Sequence, residues 1–249
     1  MKRKIQLLPS GIPLVDTEWG GFYRGGSYLL IGAHKTGRTL LSLQFAMESA
    51  SQKEVCLYFT CMRPKDLMIQ AASIDFDLQH YMDENQVIVV RVAPPSSEDM
   101  VGNTDDFLIE YINDIATVVE QYKPSKIVFD ELTPFVEFRD IELLESTLTN
   151  TFDKIEDAGI TSLFVLSDPA TDATQGIVDT VAGFSTGVVY IKKEDEEDRN
   201  GQMTITPNVG HTEGQFRCAY KLEPYRGVII ESVEEQKVTI RNKKNTNVA

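Results

Sequence analysis

Eight consecutive residues, Gly32-Ala33-His34-Lys35-Thr36-Gly37-Arg38-Thr39, have the types and spacing from which chemistry can be built. Set beside the phosphate-cradling pattern G-x-x-x-x-G-K-[ST], they agree at Gly32, Gly37 and Thr39 and depart at Arg38, where lysine is expected. Glycines let the backbone curl so that successive N–H groups converge on an anion, and a helix starting there turns its positive end to the same point. The candidate phosphate-binding set is therefore Gly32, His34, Lys35, Thr36, Gly37, Arg38 and Thr39, with the Thr39 hydroxyl available to a magnesium ion bridging the phosphates. Arg38 keeps a positive charge but presents a planar fork in place of a compact ammonium, so binding survives the change better than placement of a transferring phosphate. The competing explanation is an ordinary glycine-containing turn between a strand and a helix.

A second group that bears on the same chemistry is the acid pair Asp130-Glu131, which ends the apolar run Lys126-Ile127-Val128-Phe129. Phosphate-loop enzymes need an acid at the end of an apolar strand to hold magnesium and its water shell, and Asp130 fits that place. Its competing role is that of a turn or helix-cap residue. Cys56, Cys61 and Cys218 form an odd, scattered set with no C-x-x-C pair, and His34, His80 and His211 are equally scattered, so neither a disulfide framework nor a zinc site is indicated.

The elements that must position these groups alternate in type. A β-like run, Ser27 to Ile31, leads into the glycine loop, and a helix-like run, Leu40 to Ala50, leads out of it. Val55 to Thr60 reads as a buried strand, Pro64 to Ser73 as a helix opened by proline, and Gln86 to Val92 as another strand. Residues 93–103 form a Pro/Ser-rich loop. Between Asp105 and Tyr122 the apolar residues Leu108, Tyr111, Ile112, Ile115, Val118, Val119 and Tyr122 fall at helical spacing. So do Ile141, Leu144, Leu148, Phe152 and Ile155 in the next helix, which stops at Gly159. Strands follow at Ser162 to Leu166 and Gly187 to Ile191. Beyond residue 187 strands occur without helices, at Gln202 to Thr206, Phe216 to Leu222 and Val228 to Ile230, after a charged loop spanning residues 192–201. This order predicts an α/β fold with a mostly parallel sheet flanked by helices and a C-terminal antiparallel hairpin extension. Residues 1–230 read as a single domain, and 231–249 as a polar tail with a short extra strand at Lys237 to Ile240 as the alternative.

Composition narrows the class of partner. The 249 residues carry a formal net charge of −14, which disfavours a nucleic-acid binder relying on a global positive field. There is no run of about eighteen apolar residues, and the opening Met-Lys-Arg-Lys-Ile-Gln-Leu-Leu-Pro lacks the features of a signal peptide, so a cytoplasmic protein without a membrane partner is expected.

The glycine-dense stretch 7–26 carries a resemblance. Its pattern S-G-I-P-x-x-D…G-G-x-x-x-G-G-S, followed by a strand and a phosphate loop, resembles the opening of KaiC and RecA-like ATPases, with matches at Gly11, Ile12, Pro13, Asp16, Gly20, Gly21, Gly26 and Ser27. The resemblance extends through Phe216. It implies a RecA-like P-loop NTPase core that binds ATP or ADP with Mg²⁺, Thr39 and Asp130 holding the metal. It also implies a homo-oligomer, in some members a ring, with nucleotide at subunit interfaces.

Three departures concern hydrolysis. KaiC-like chains carry a glutamate pair in T-F-E-E-x-P-x-D after the second strand; the comparable Thr60-Cys61-Met62-Arg63-Pro64-Lys65-Asp66 is one residue shorter, and Met62 and Arg63 stand in the glutamates' place. Neither acts as a base. The family's trans-acting K-x-R-G pair falls on Pro207-Asn208-Val209-Gly210, with His211 and Glu213 nearby. Arg38 is the third departure. Glu131 is the substitute candidate for the catalytic carboxylate, because some phosphate-loop ATPases place that glutamate directly after the magnesium aspartate. The leading expectation is a KaiC-like nucleotide-binding regulatory or signalling protein with weak or absent hydrolysis and an unidentified protein partner. Its rivals are a working ATPase using Arg38 and Glu131, and a nucleotide-free interaction scaffold in which Arg38 pairs with Asp130 or Glu131.

Overall fold

The computed structural model describes residues 5–92, 104–131, 140–169, 172–193 and 199–230. The Pro/Ser-rich loop 93–103, part of the charged loop after residue 193, and the tail 231–249 with its short-strand alternative lie outside the described residues. In chain order the elements are β1 (Leu7–Leu8), α1 (Pro13–Glu18), β2 (Phe22–Tyr23), β3 (Ser27–Gly32), α2 (Arg38–Ser51), β4 (Cys56–Thr60), α3 (Pro64–Ala72), α4 (Leu78–Asp83) and β5 (Val87–Arg91). They continue with α5 (Thr104–Tyr122), β6 (Lys126–Asp130), α6 (Ile141–Asp157), β7 (Thr161–Ser167), α7 (Asp172–Phe184), β8 (Gly187–Lys192), β9 (Asn200–Pro207), β10 (Phe216–Glu223) and β11 (Gly227–Ile230).

The main sheet runs in the order β11-β10-β9-β8-β3-β7-β6-β4-β5. From β8 to β5 every pairing is parallel, while β8, β9, β10 and β11 pair antiparallel, as expected for a parallel core with a hairpin extension. Strand β3 is central, and the chain leaves it to β4, skipping β7 and β6. In open α/β sheets such a switch opens a crevice at the carboxyl ends of the strands, which is where residues 32–39 lie.

Alternation along the buried strands divides the core into two layers. Tyr28, Leu30, Tyr58, Val128, Leu163, Val165, Val189 and Ile191 face one side, packing with α1, α2, α3 and α4 through residues such as Leu14, Leu41, Phe45, Leu67 and Leu78. Leu29, Ile31, Leu57, Phe59, Ile127, Phe129, Phe164 and Leu166 face the other, against α5, α6 and α7. On that second face Phe59, Phe129, Phe164 and Phe152 stack in succession with centroids 4.5–5.0 Å apart. Leu144, Leu148, Phe152 and Ile155 of α6 are all buried, as their spacing predicts, and Asp140 caps the helix by accepting from Leu143 N–H at 3.0 Å. In α5, Ile112, Ile115 and Val119 are buried, but Tyr122, expected on the same face, is 44% exposed at the last turn.

Three helices go beyond the sequence reading. α4 and α7 lie in stretches assigned no element, and α1 lies inside the stretch read only as turns. Pro13 opens α1 at its first turn, where a missing N–H costs nothing. The Asp16 carboxylate reaches back over the turn and accepts from Ser10 N–H and Ser10 Oγ, both at 2.7 Å, and from Gly11 N–H at 2.9 Å. Gly11 has φ +71, and a Cβ there would lie 2.4 Å from the Gln44 carbonyl oxygen of α2. The G-I-P-x-x-D signature is thus a clamp that sets the opening turn flat against the helix that follows the phosphate loop.

Candidate functional site: a phosphate loop closed by an ion pair

Residues 33–37 connect β3 to α2. Gly32 is hemmed in, since a Cβ would approach Ile191 Cγ1 to 2.6 Å and Thr36 Oγ1 to 2.8 Å. Gly37 has φ +102 and caps α2 without any side-chain hydrogen bond; a Cβ there would meet Leu222 at 2.9 Å. The first N–H groups of α2, at Gly37, Arg38, Thr39 and Leu40, have no intrahelical acceptor by helix geometry, and no side chain takes their place at the cap. Together with the helix dipole they form a concentrated positive site.

The loop's side chains divide into two groups. His34 and Lys35 are exposed. Thr36 is buried, with its Oγ1 donating to Ala33 O at 2.7 Å while its carbonyl accepts from Tyr220 OH at 2.7 Å. Thr36 therefore shapes the loop through its side chain, and β10 braces it from below.

Asp130 ends β6 at 7% exposure, one strand removed from β3. Its Oδ2 accepts from Tyr58 OH at 2.7 Å and lies 3.3 Å from Ser42 Oγ. Burial raises the Asp130 carboxyl above its ordinary pKa; the Tyr58 hydrogen bond and then the Arg38 charge pull the other way. Arg38, 11% exposed, places Nη1 3.3 Å from Glu131 Oε1, and the same oxygen accepts from Ser167 Oγ at the end of β7. Of the two acids that Arg38 was expected to reach, it bonds Glu131 and acts on Asp130 only through its charge.

The segments in the place of the missing hydrolytic groups have other work. Met62 packs on the first core layer, and its N–H donates to Thr60 Oγ1 at 3.1 Å. Arg63 precedes α3 and pairs with Asp66 at 2.6 Å. Pro207 ends β9 opposite Gly187, and Val209 is 66% exposed. His211, which in sequence lies only near the family's basic pair, is a core residue. It is 1% exposed, stacks on Trp19 at 4.2 Å and lies 3.0 Å from Tyr28 OH through Nε2. Its Nδ1 is buried without a partner among the described residues, and burial lowers its pKa.

Sequence reasoning missed Ser42, Tyr58 and Ser167. Ser42 was visible only as a residue one turn after Thr39, and Tyr58 only as one aromatic in a buried strand. Among the described residues no cluster of His, Cys, Asp and Glu with metal-holding geometry occurs, and no helix is long and apolar enough to cross a membrane. A groove of about 680 Å³ between α5 and α6, lined by Ile115, Val119, Ile155 and Ile160 among others, opens beside the starts of β6 and β7. It is at the opposite end of the sheet from the loop and contains none of these groups.

A glycine loop between a central parallel strand and an uncapped helix, with an acid ending a nearby strand and an antiparallel extension beyond, defines a RecA-like P-loop fold. A family model described as the KaiC ATPase matches residues 8–243, and the chain belongs to that family. The chain is 24% identical over 224 residues to the circadian clock oscillator protein KaiC of Prochlorococcus marinus subsp. pastoris, a match covering 87% of this chain and 44% of the relative. It is 28% identical over 157 residues to the circadian clock protein KaiC2 of a Synechocystis strain, covering 62% of this chain and 26% of that one. The chain thus spans less than half the length of these relatives. The crystal structure of a KaiC-like protein from Pyrococcus horikoshii shares the fold, with a TM-score of 0.69 at 20% identity over 92% of this chain and all of that one.

Proposed function

We propose that this chain is a KaiC-like nucleotide-binding protein that uses ATP or ADP with Mg²⁺ as a regulatory ligand and hydrolyses it weakly or not at all. The observation carrying this reading is the ion pair of Arg38 with Glu131 beside an otherwise intact cradle. The cradle fits a phosphate chain: the start of α2 is uncapped, Gly32 and Gly37 keep the loop close to the backbone, and His34 and Lys35 are exposed on its outer side. Thr39 and Asp130 are the residues to hold magnesium, which when bound neutralises charge between the phosphates. Glu131 is the carboxylate we assign to orienting water, and it is held by Arg38 and Ser167. Weak turnover follows, because the groups that stabilise a transferring phosphate act together.

The same pair favours a second reading, in which Arg38 and Glu131 close an empty loop and the protein is a nucleotide-free scaffold. Isothermal titration with ATP and Mg²⁺ separates the two: saturable heat supports the first, and none at any accessible concentration selects the second. Family resemblance supports a homo-oligomer in the cytoplasm with nucleotide at subunit interfaces, checked by light scattering with and without nucleotide.

A further inference from the structure

The buried face beneath the phosphate loop contains a chain of hydroxyl groups. Tyr58 is fully buried on β4, and alternation places it on the same face of the sheet as Asp130. Thr60 pairs with Asp130, so Tyr58 is Asp130's diagonal neighbour across the β4–β6 ladder, within reach of an aromatic side chain. Its hydroxyl meets Asp130 Oδ2 at 2.7 Å and Ser42 Oγ at 2.7 Å. Ser42 Oγ in turn lies 2.9 Å from the carbonyl oxygen of Thr39.

The protons constrain this network. Tyr58 has one, and the short contact assigns it to the carboxylate; the phenol oxygen is then free to accept from Ser42. Buried polar groups persist only when satisfied, and this one is satisfied by the two elements that carry the magnesium-site residues. Ser42 also has a single proton, so Oδ2 takes the Tyr58 proton while Ser42, 3.3 Å away, donates to the phenol oxygen, and Oδ1 accepts no hydrogen bond from any described residue.

We propose that Tyr58, supported by Ser42, is a positioning residue that fixes the Asp130 carboxylate relative to α2, leaving Oδ1 free to help hold magnesium when a nucleotide is bound. This rests on the nucleotide-binding reading above. Tyr58 touches neither metal nor phosphate, and its effect is on the coupling between Mg²⁺ and nucleotide.

The test is titration of ADP into wild type and Tyr58→Phe, each with saturating Mg²⁺ and with EDTA. Tyr28→Phe serves as the control, because Tyr28 is an equally buried phenol on the same face whose hydroxyl bonds Tyr23 N–H and His211. Tyr58→Phe is expected to cut the Mg²⁺-dependent gain in affinity about tenfold, the cost of losing a hydrogen bond to a charged group, while affinity in EDTA stays at the wild-type value. Tyr28→Phe lowers the melting temperature and leaves the Mg²⁺ gain intact. An unchanged Mg²⁺ gain in Tyr58→Phe, or an equal loss with Mg²⁺ and with EDTA, overturns the proposal and leaves nucleotide binding standing. Absence of ADP binding by wild type overturns both. If Tyr58→Phe does not fold, Ser42→Ala makes the same measurement, with a smaller loss of Mg²⁺ gain expected and an unchanged gain refuting the network.

Discussion

Replacing Glu131 by glutamine removes the charge that holds Arg38 while keeping the size of the side chain. Arg38 Nη1 and Glu131 Oε1 are 3.3 Å apart, with the arginine side chain 11% and the glutamate 35% exposed. Two unit charges at that separation attract by about 5 kcal/mol at an effective dielectric near 20. A carboxylate this open to water recovers most of that as hydration when the pair breaks, and measured pairs of this kind are worth about 1 kcal/mol. On the proposed reading nucleotide phosphate and Glu131 compete for the same guanidinium, so Glu131→Gln is expected to raise ATP affinity by about fivefold, which is that 1 kcal/mol expressed as a ratio. Calorimetric titration with Mg²⁺ reads the affinity, and phosphate release in the same samples reads any turnover. Tighter binding with loss of whatever turnover wild type has is the expected result. Affinity that is unchanged or weaker refutes the idea that the pair guards the loop, and unchanged turnover refutes a water-orienting role for Glu131.

Two further predictions concern the frame around the site. Gly11→Ala forces a Cβ to within 2.4 Å of the Gln44 carbonyl at φ +71, so it should lower unfolding free energy by about 2–4 kcal/mol in chemical denaturation and weaken nucleotide binding through displacement of α2. His211 has a native pKa lowered from 6.5 by burial, so the unfolded chain binds more protons below that pH and wild type loses stability as pH falls from 6.5 toward the native value. His211→Phe removes that dependence; the difference between the two unfolding profiles should be flat above pH 6.5 and slope below it by at most about 1.4 kcal/mol per pH unit.

The parallel core was legible because both faces of its sheet are covered. Runs such as Lys126-Ile127-Val128-Phe129 have no polar alternation to hide them, and glycine and proline mark their ends. α7 was missed because Gly176 and Gly183 interrupt its pattern, and α1 because its six residues lie among the five glycines of residues 7–26, whose turn signals dominate the window. The exposed position of Tyr122 has a related cause: helical spacing assigns a face, but the helix's last turn runs past the edge of the layer it covers.

The candidate site shows where legibility stops. Arg38, Thr39, Asp130 and Glu131 were found because each is defined by its neighbours in sequence, a glycine loop or the end of an apolar run. Tyr58 and Ser167 matter because strand register brings β4 and β7 alongside β6, and register is set by the whole sheet. The pairing of Arg38 lies between these cases. Its charge made a carboxylate partner expected, while the choice of Glu131 followed only from the geometry at the end of β6. There Asp130 Oδ2 already accepts from Tyr58, beneath α2, and Glu131 is the acid on the open side. A guanidinium suits this arrangement better than an ammonium, because its fork of donors can engage Glu131 while its charge still acts on Asp130. On the reading proposed above, Arg38 at the start of α2 and its pairing with Glu131 belong together: the cation beside the loop and the open carboxylate at the end of β6 each hold the other in place.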